Sequence, residues 1–389
     1  VLETQSSSVT QLVEREMVQG MPMANRTSTA LLALIPGAAV QNVTGDIPIF
    51  SVSGGRTRNQ QFTLDGGNHT NTVGLAVNQS QVPLPMDAMQ EFRVVANSYS
   101  AEYGQSQSGV ITLATRSGSN AFHGGVFEYI RNEAFDARNF FSAQRPKFRQ
   151  HQYGGLLGGP VRKDRTHFFF TYERTQQVTG GTAIQTVPTA TQRQGDFSQT
   201  VDARGVQIPI YDPATTAGST RQPFVGNVIP QARLDPVAVK LATAWPTPNQ
   251  PGTITGANNF ARNSSPFTNR NIYVSRLDHQ FRPTDQLMVR YFFAQSNAGN
   301  PGIWEDTRGD GSASKTDQNT HNILGTWNHT LRPTLMNEFK FGMVRRDFFN
   351  QRFGKDSDFA GQAGLKGVSK AGFPIVGVTG FTGLSGAPF

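Results

Sequence analysis

Between residues 334 and 349 apolar and polar side chains alternate. Leu335, Phe339, Phe341 and Met343 fall on one face, and Glu338, Lys340 and Gly342 on the other. A period of two is that of a β-strand with one apolar side. Leu287, Val289, Tyr291 and Phe293 repeat the pattern. The alternation predicts seven strands, over 121–131, 149–161, 165–178, 271–282, 286–296, 317–330 and 334–349. Most exceed the about five or six residues of an ordinary globular strand.

The connections sort themselves. Strands two and three are joined by "RKD", four and five by "RPTDQ", and six and seven by "RPT". The other connections are long, near 132–148, 179–270 and 297–316, and another long segment follows strand seven, at 350–389. Short turns at one end and long loops at the other is the asymmetry of an outer-membrane β-barrel, with periplasmic turns and extracellular loops. A secreted β-sandwich or propeller with one insertion is the alternative, but it has no reason to sort its loops this way.

Residues 1–118 read differently, as a small mixed α/β unit. "SSSVTQLVEREMVQ" offers hydroxyl caps and places Leu12, Val13, Met17 and Val18 near helical spacing, which predicts a helix; "RTSTALLALIPGA" predicts a second, stopped by Pro36 and Gly37. "NQQFTLDGG" predicts a strand ending in a tight turn at Asp65-Gly66. "VPLPMDAMQEFRVVAN" predicts a Pro-initiated helical turn running into a strand, and "SGVITLATRSG" another strand.

Composition supports a β-rich reading. Charged residues are 16% of the 389, against about a quarter in ordinary domains, while Gly reaches 40 and Phe 28. No run of about 18 apolar residues is present, so a transmembrane helix is not expected; this leaves a β-barrel open. The absence of cysteine excludes disulfides and thiolate metal sites within these residues. The net charge of +8 is spread along the chain, with no basic helix or run of five or more basic residues, which argues against a nucleic-acid partner.

Candidate chemistry is sparse. "YGGLLGGPVRKD" has the composition of a phosphate loop but not its spacing. Pro160 stands where the Walker pattern requires Lys, Leu156 stands where the dinucleotide pattern requires Gly, and the Phe-rich strand former "RTHFFFTYE" follows in place of a helix. His69, His123, His151, His167, His279, His321 and His329 form no HExxH pair, and no GxSxG elbow occurs. In "DTRGDGSASKTD", Arg308 occupies a position where a calcium loop requires Asp or Asn. No catalytic residue, metal site or cofactor is predicted.

The sequence resembles the TonB-dependent outer-membrane receptors, and within them the Oar-like branch that carries a carboxypeptidase-regulatory-like domain. The resemblance rests on "SGGRTRNQQFTLDGG", "MDAMQEFRVVANSYSAEYGQSQSGVITLATRSGSNAFHGGVFEYIRNEAFDARNFF", "FRQHQYGGLLGGPVRKDRTHFFFTYE", "GNVIPQARLDPVAVKLATAWPTPN" and "YVSRLDHQFRPTDQLMVRYFF". It implies a plug over 1–118 and the N-terminal part of a barrel over 119–389, with about seven strands present of about 22 in the whole. It implies as partners the TonB energy-transducing system, outer-membrane lipid and lipopolysaccharide, and an unidentified solute such as an oligosaccharide or peptide. Lacking a signal sequence, accessory domain or TonB box, and ending in "GFTGLSGAPF" without an amphipathic final strand, the chain reads as a fragment.

Under that resemblance Arg56, Arg58, Asp65 and Asn68, in polar turns of the plug, are candidates to face the solute or the wall. Glu102, Tyr103, Arg116 and Asn120 fall at the plug–barrel junction as structural residues, and the long loop 179–270 is the candidate for extracellular capture. Two other functions stay open: a surface protein that uses the scaffold for adhesion or matrix attachment, and a secreted glycan-active enzyme, for which no carboxylate pair is marked.

Overall fold

A computed structural model describes the chain apart from residues 1–8, 15–16, 18–19, 21–22, 24–25, 36, 45–46, 58, 72–78, 81–82, 98–102, 105, 107, 139–144, 305, 307–308, 355–356, 370–371 and 386–389. In chain order the first strands are β1 (Val9–Glu14), β2 (Ala38–Thr44), β3 (Ile47–Val52), β4 (Gln61–Leu64), β5 (Gly67–Asn68), β6 (Thr70–Asn71), β7 (Gln79–Ser80), β8 (Met89–Asn97) and β9 (Val110–Thr115). Five of them form a mixed sheet in the order β1-β8-β9-β4-β5, with β4 parallel to β9 and the other pairs antiparallel. The β4–β5 turn is the one predicted: Asp65 and Gly66 both have positive φ, 54° and 80°, which the short polar side chain and glycine tolerate.

The expected helix over 6–19 is corrected at its start. Val9–Glu14 pair with β8 as an edge strand. Leu12 is 45% exposed while its neighbour Val13 is fully buried, the in-and-out alternation of a strand. Grouping the two as one helical face overlooked that alternation. The second helix and the Pro-initiated turn are present as 3-10 segments, Ser28–Leu34 and Met86–Ala88.

The second sheet has seven strands, all antiparallel, in the order β10 (His123–Asn132), β11 (Phe148–Arg162), β12 (Thr166–Thr179), β15 (Phe267–Arg282), β16 (Asp285–Asn300), β17 (Ser314–Arg332) and β18 (Leu335–Arg352). A separate hairpin, β13 (Gly181–Gln185) with β14 (Phe260–Ser264), follows β12 and precedes β15. All seven predicted strands are here, and several run further at the loop end: β15 starts at Phe267 where 271 was expected, and β17 at Ser314 where 317 was. The sheet does not close on itself, and β10 and β18 are its edges.

The two faces of this sheet differ. On one, cross-strand rows such as Phe168, Leu277, Val289, Gly325 and Phe341 leave large apolar groups exposed, Phe341 at 61%. A broad apolar face with no protein cover is what a lipid-facing wall presents. On the other face Phe169, Ile272, Val274, Phe292 and Ala294 are buried in one core with Leu31, Leu32, Phe62, Leu84 and Met86 of the first unit. The five-stranded sheet therefore sits against the inner face of the wall. A second core, with Val187, Trp245, Phe260, Trp304, Phe373 and Leu384, draws the long loops together at the opposite end from the short turns.

Candidate functional site

The charged groups between the two sheets converge on the β4–β5 turn. Positive φ at Asp65 and Gly66 turns the chain back at the end of β4 and sends the Asp65 carboxylate toward β9 and the wall. One oxygen accepts from the Thr115 N–H at 2.8 Å, and the other from the Thr115 hydroxyl at 2.9 Å. Arg290 on β16, fully buried, brings Nε to 2.9 Å from Asp65 Oδ2, and Arg276 on β15 brings Nη1 to 3.6 Å from Asp65 Oδ1. Arg276 also donates to the Thr115 carbonyl at 2.8 Å and pairs with Asp278 at 2.8 Å.

Arg290 extends the contact upward. Its Nη2 donates to the Leu64 carbonyl at 3.2 Å and to Asn322 Oδ1 at 3.1 Å. Asn322 on β17 in turn donates to the Asn68 carbonyl at 3.1 Å. Further along the same wall Arg346 on β18 donates to Asn71 at 2.8 Å and to Gln318 at 2.9 Å. A buried cation is retained only where an anion and further acceptors replace its water, and here the anion belongs to the other unit. The cluster is an electrostatic latch: it joins the first unit to the wall through ion pairs and hydrogen bonds across their interface.

A second contact lies across the sheet. Arg26 stands 3.9 Å from Asp87 and places its guanidinium 4.0 Å from the centre of the Tyr129 ring on β10. Gln152 on β11 donates to the Arg26 carbonyl at 3.1 Å, with the buried Glu173 close by on β12. Cation, ring and amide dock this edge.

The residues singled out in the sequence fall unevenly. Asp65 is the centre of the latch, and Asn68 lies beside it, with its side chain accepting from the Thr70 N–H at 2.9 Å. Arg56 is exposed and joins the fold through its carbonyl, which accepts from Gln60 at 3.3 Å and Ser108 at 3.2 Å. Arg58 and Glu102 lie outside the described residues. Tyr103 is half-buried. Arg116 donates to the Asp87 carbonyl at 3.2 Å and covers the Phe169 ring at 5.1 Å. Asn120 binds the β11–β12 turn, accepting from the Asp164 N–H and from His167, each at 2.8 Å.

Sequence reasoning missed the wall residues Arg276, Arg290, Asn322 and Arg346. A signal existed for Arg290: in "MVRYFF" it interrupts an apolar run on the face opposite Val289 and Tyr291. Among the described residues no group of three or more His, Asp or Glu could hold a metal ion. In the acidic loop, Asp310 spends its carboxylate on the N–H groups of Trp304 and Ser312, at 2.8 and 2.9 Å, and on that of Ile303. This pins the loop.

A plug-like unit latched to the inner face of an incomplete antiparallel barrel defines the class: a plugged outer-membrane β-barrel. Residues 114–388 match the family described as an outer membrane beta barrel domain, and the chain belongs to that family. It is 32% identical over 154 residues to the TonB-dependent transporter Oar of Myxococcus xanthus, covering 38% of this chain and 14% of Oar. Its fold is that of the outer membrane transporter YddB from Escherichia coli, with a TM-score of 0.56 at 10% identity, covering 90% of this chain and 40% of YddB. The chain thus spans only a minor part of the length of either protein. The family and its relatives place it in the outer membrane of a Gram-negative bacterium.

Proposed function

We propose that residues 1–118 are the plug, and 119–389 the first strands of the barrel, of a TonB-dependent outer-membrane transporter. A solute binds at the extracellular loops, the latch is released by force from TonB, and the solute passes to the periplasm. The observation that carries this reading is the latch itself. Asp65 of the plug is clamped by two arginines of the wall, one of them fully buried, so the plug is tied to the wall at this turn.

The mechanism needs no bond-making step, and no catalytic role or cofactor is proposed. Arg276 and Arg290 position the plug, Asn322 and Arg346 hold its upper strands, and Arg116 and Asn120 tie the junction to the wall. Arg56, Arg58 and Asn68 are proposed to meet the solute or the wall. The exposed apolar face takes outer-membrane lipid, and the polar strand ends above it take lipopolysaccharide. The solute is a polar molecule such as an oligosaccharide or peptide.

The test is uptake of labelled oligosaccharides and peptides by cells carrying the full-length protein, with the TonB system intact or removed. Uptake that depends on TonB supports transport. Attachment of cells to a surface or matrix that survives removal of TonB, with no uptake, replaces transport by adhesion.

A further inference from the structure

The outward face of the wall is apolar from its short turns upward, and a tilted strand crosses such a band in about ten residues. Counted from the turn at residues 163–164, that distance ends at Tyr153 on β11 and Arg174 on β12, which face each other in the register. On β15, β16 and β18 it ends near Tyr273, Phe293 and Arg345. The ring centres of Tyr172 and Tyr273 are 4.9 Å apart, and those of Tyr273 and Phe293 5.9 Å. These rings form a belt at the height where acyl chains give way to headgroups.

The outward cations at and above this belt are not equivalent. On β18 Arg345 is paired with Asp347 at 3.1 Å, and on β17 Lys315 is paired with Asp317 at 3.4 Å, so that side is neutralised. Arg174 lies between the buried Glu173 and Thr175 along β12 and therefore points outward. Among the described residues no carboxylate pairs with it, and its Nε is buried without a hydrogen-bond partner. Arg149, higher on the outward face of β11, is exposed and meets the Glu133 carboxylate only at 3.7 Å. Arg145 and Lys147, just beyond the strand end, are exposed too, and Arg145 donates to the Glu133 and Ala134 carbonyls, which leaves its charge uncancelled. The other acids here, Glu128 and Asp136, are taken by His151 and Arg131.

A surplus of positive charge therefore sits over β11–β12, facing away from the lumen. Arg174 at that height lacks an anion, and a planar guanidinium matches phosphate oxygens two at a time. The apolar face directly beneath it, with Phe170 exposed, takes acyl chains, so a single molecule that carries both chains and phosphates covers the whole of this surface. We propose that β11–β12 holds a phosphorylated glycolipid of the outer leaflet: its chains lie over Phe170 and Tyr172, Arg174 binds a phosphate, and Arg149 binds an acidic group further out on the headgroup. The paired cations of β17 and β18 make no equivalent site. This deepens the lipopolysaccharide contact proposed above; it rests on the apolar face being lipid-facing and is independent of TonB-driven transport.

The full-length protein, purified in detergent, washed free of glycolipid and checked for the heat-dependent gel mobility of a folded barrel, is titrated with lipid A bearing two phosphates. A parallel titration uses the same lipid with both phosphates removed, and bound copies are counted by native mass spectrometry. The phosphorylated lipid is expected to bind at least about tenfold more tightly than the phosphate-free one, and Arg149→Gln/Arg174→Gln to bring the two within about twofold. Lys315→Gln/Arg345→Gln, on the paired side, is expected to leave the preference intact. Equal binding of the two lipids by the unsubstituted protein, a measurement that needs no variant, overturns the proposal. So does a preference that survives Arg149→Gln/Arg174→Gln, or one that both Gln pairs abolish alike. None of these results touches the transport reading, which stands or falls on the separate uptake experiment.

Discussion

Arg290 of the wall and Asp65 of the plug stand 2.9 Å apart with the arginine wholly buried, and they are 225 residues apart in the chain. The arginine is what makes the aspartate necessary. Asp65→Asn removes the anion but leaves the buried cation, a change that costs about 3–5 kcal/mol where a buried pair is broken from one side. Urea unfolding of the plug within the full-length protein is expected to shift to lower denaturant in Asp65→Asn. The double variant Asp65→Asn/Arg290→Met is expected to recover much of the loss.

Gly154 and Gly155 separate packing from composition. A β-carbon at Gly154 would lie 2.0 Å from the Tyr172 carbonyl oxygen and 2.9 Å from the Phe127 ring, whereas at Gly155 the nearest atom is the Gly125 carbonyl oxygen at 3.3 Å. Gly154→Ala is expected to cut the yield of folded, membrane-inserted protein severely, and Gly155→Ala to leave most of it. Heat-dependent gel mobility of the two variants checks this. The glycines that resemble a phosphate cradle thus serve close approach of β11 to its neighbours.

Arg193 organises the loop core through carbonyls alone. It donates to those of Pro188, Ala242, Trp245 and Pro246, at 3.1, 2.6, 2.9 and 2.5 Å. Its half-burial lowers its pKa from the usual arginine value, yet it remains charged at any physiological pH. Charge-assisted hydrogen bonds contribute about 1.5–3 kcal/mol each at most, and their losses are not additive. Arg193→Ala is expected to expose the 179–270 loop to protease on intact cells while leaving the barrel strands protected.

Acid should loosen the tip of the same loop. The Asp212 carboxyl is held below its ordinary range, first by its hydrogen bond from Arg233 and then by the Ala214 N–H. A depressed carboxyl pKa contributes order that is complete above the unfolded value. That order is lost as pH falls through the lowered folded value, hence below about pH 4. Hydrogen-exchange protection around residues 210–234, taken relative to the intrinsic rate at each pH, is expected to fall in that range, and Asp212→Asn to show the low protection already at neutral pH. Because the pair is at the surface, salt is expected to weaken the effect.

What could be read from the sequence was what repeats. Period two in Leu335–Met343 and in Leu287–Phe293 gave the wall, because lipid on one side and plug on the other impose alternation over many residues. Asp65-Gly66 gave its turn, because few residue pairs accept two positive φ angles. The Val9–Glu14 strand was hidden because the adjacent Leu12 and Val13, one exposed and one buried, also fit a helical spacing with Met17 and Val18. The latch was hidden for another reason: Asp65, Arg276 and Arg290 are distant in sequence, and only the register of β15 with β16 sets both arginines on the inner face.

The central claim is that the five-stranded unit closes a lumen built for transport. It is tested most directly by ion conductance of the full-length protein in planar bilayers, intact and with residues 9–115 deleted. The account predicts no steady conductance from the intact protein and a large open-pore conductance from the deletion. An intact protein that conducts freely, or a folded deletion that remains closed, would contradict it.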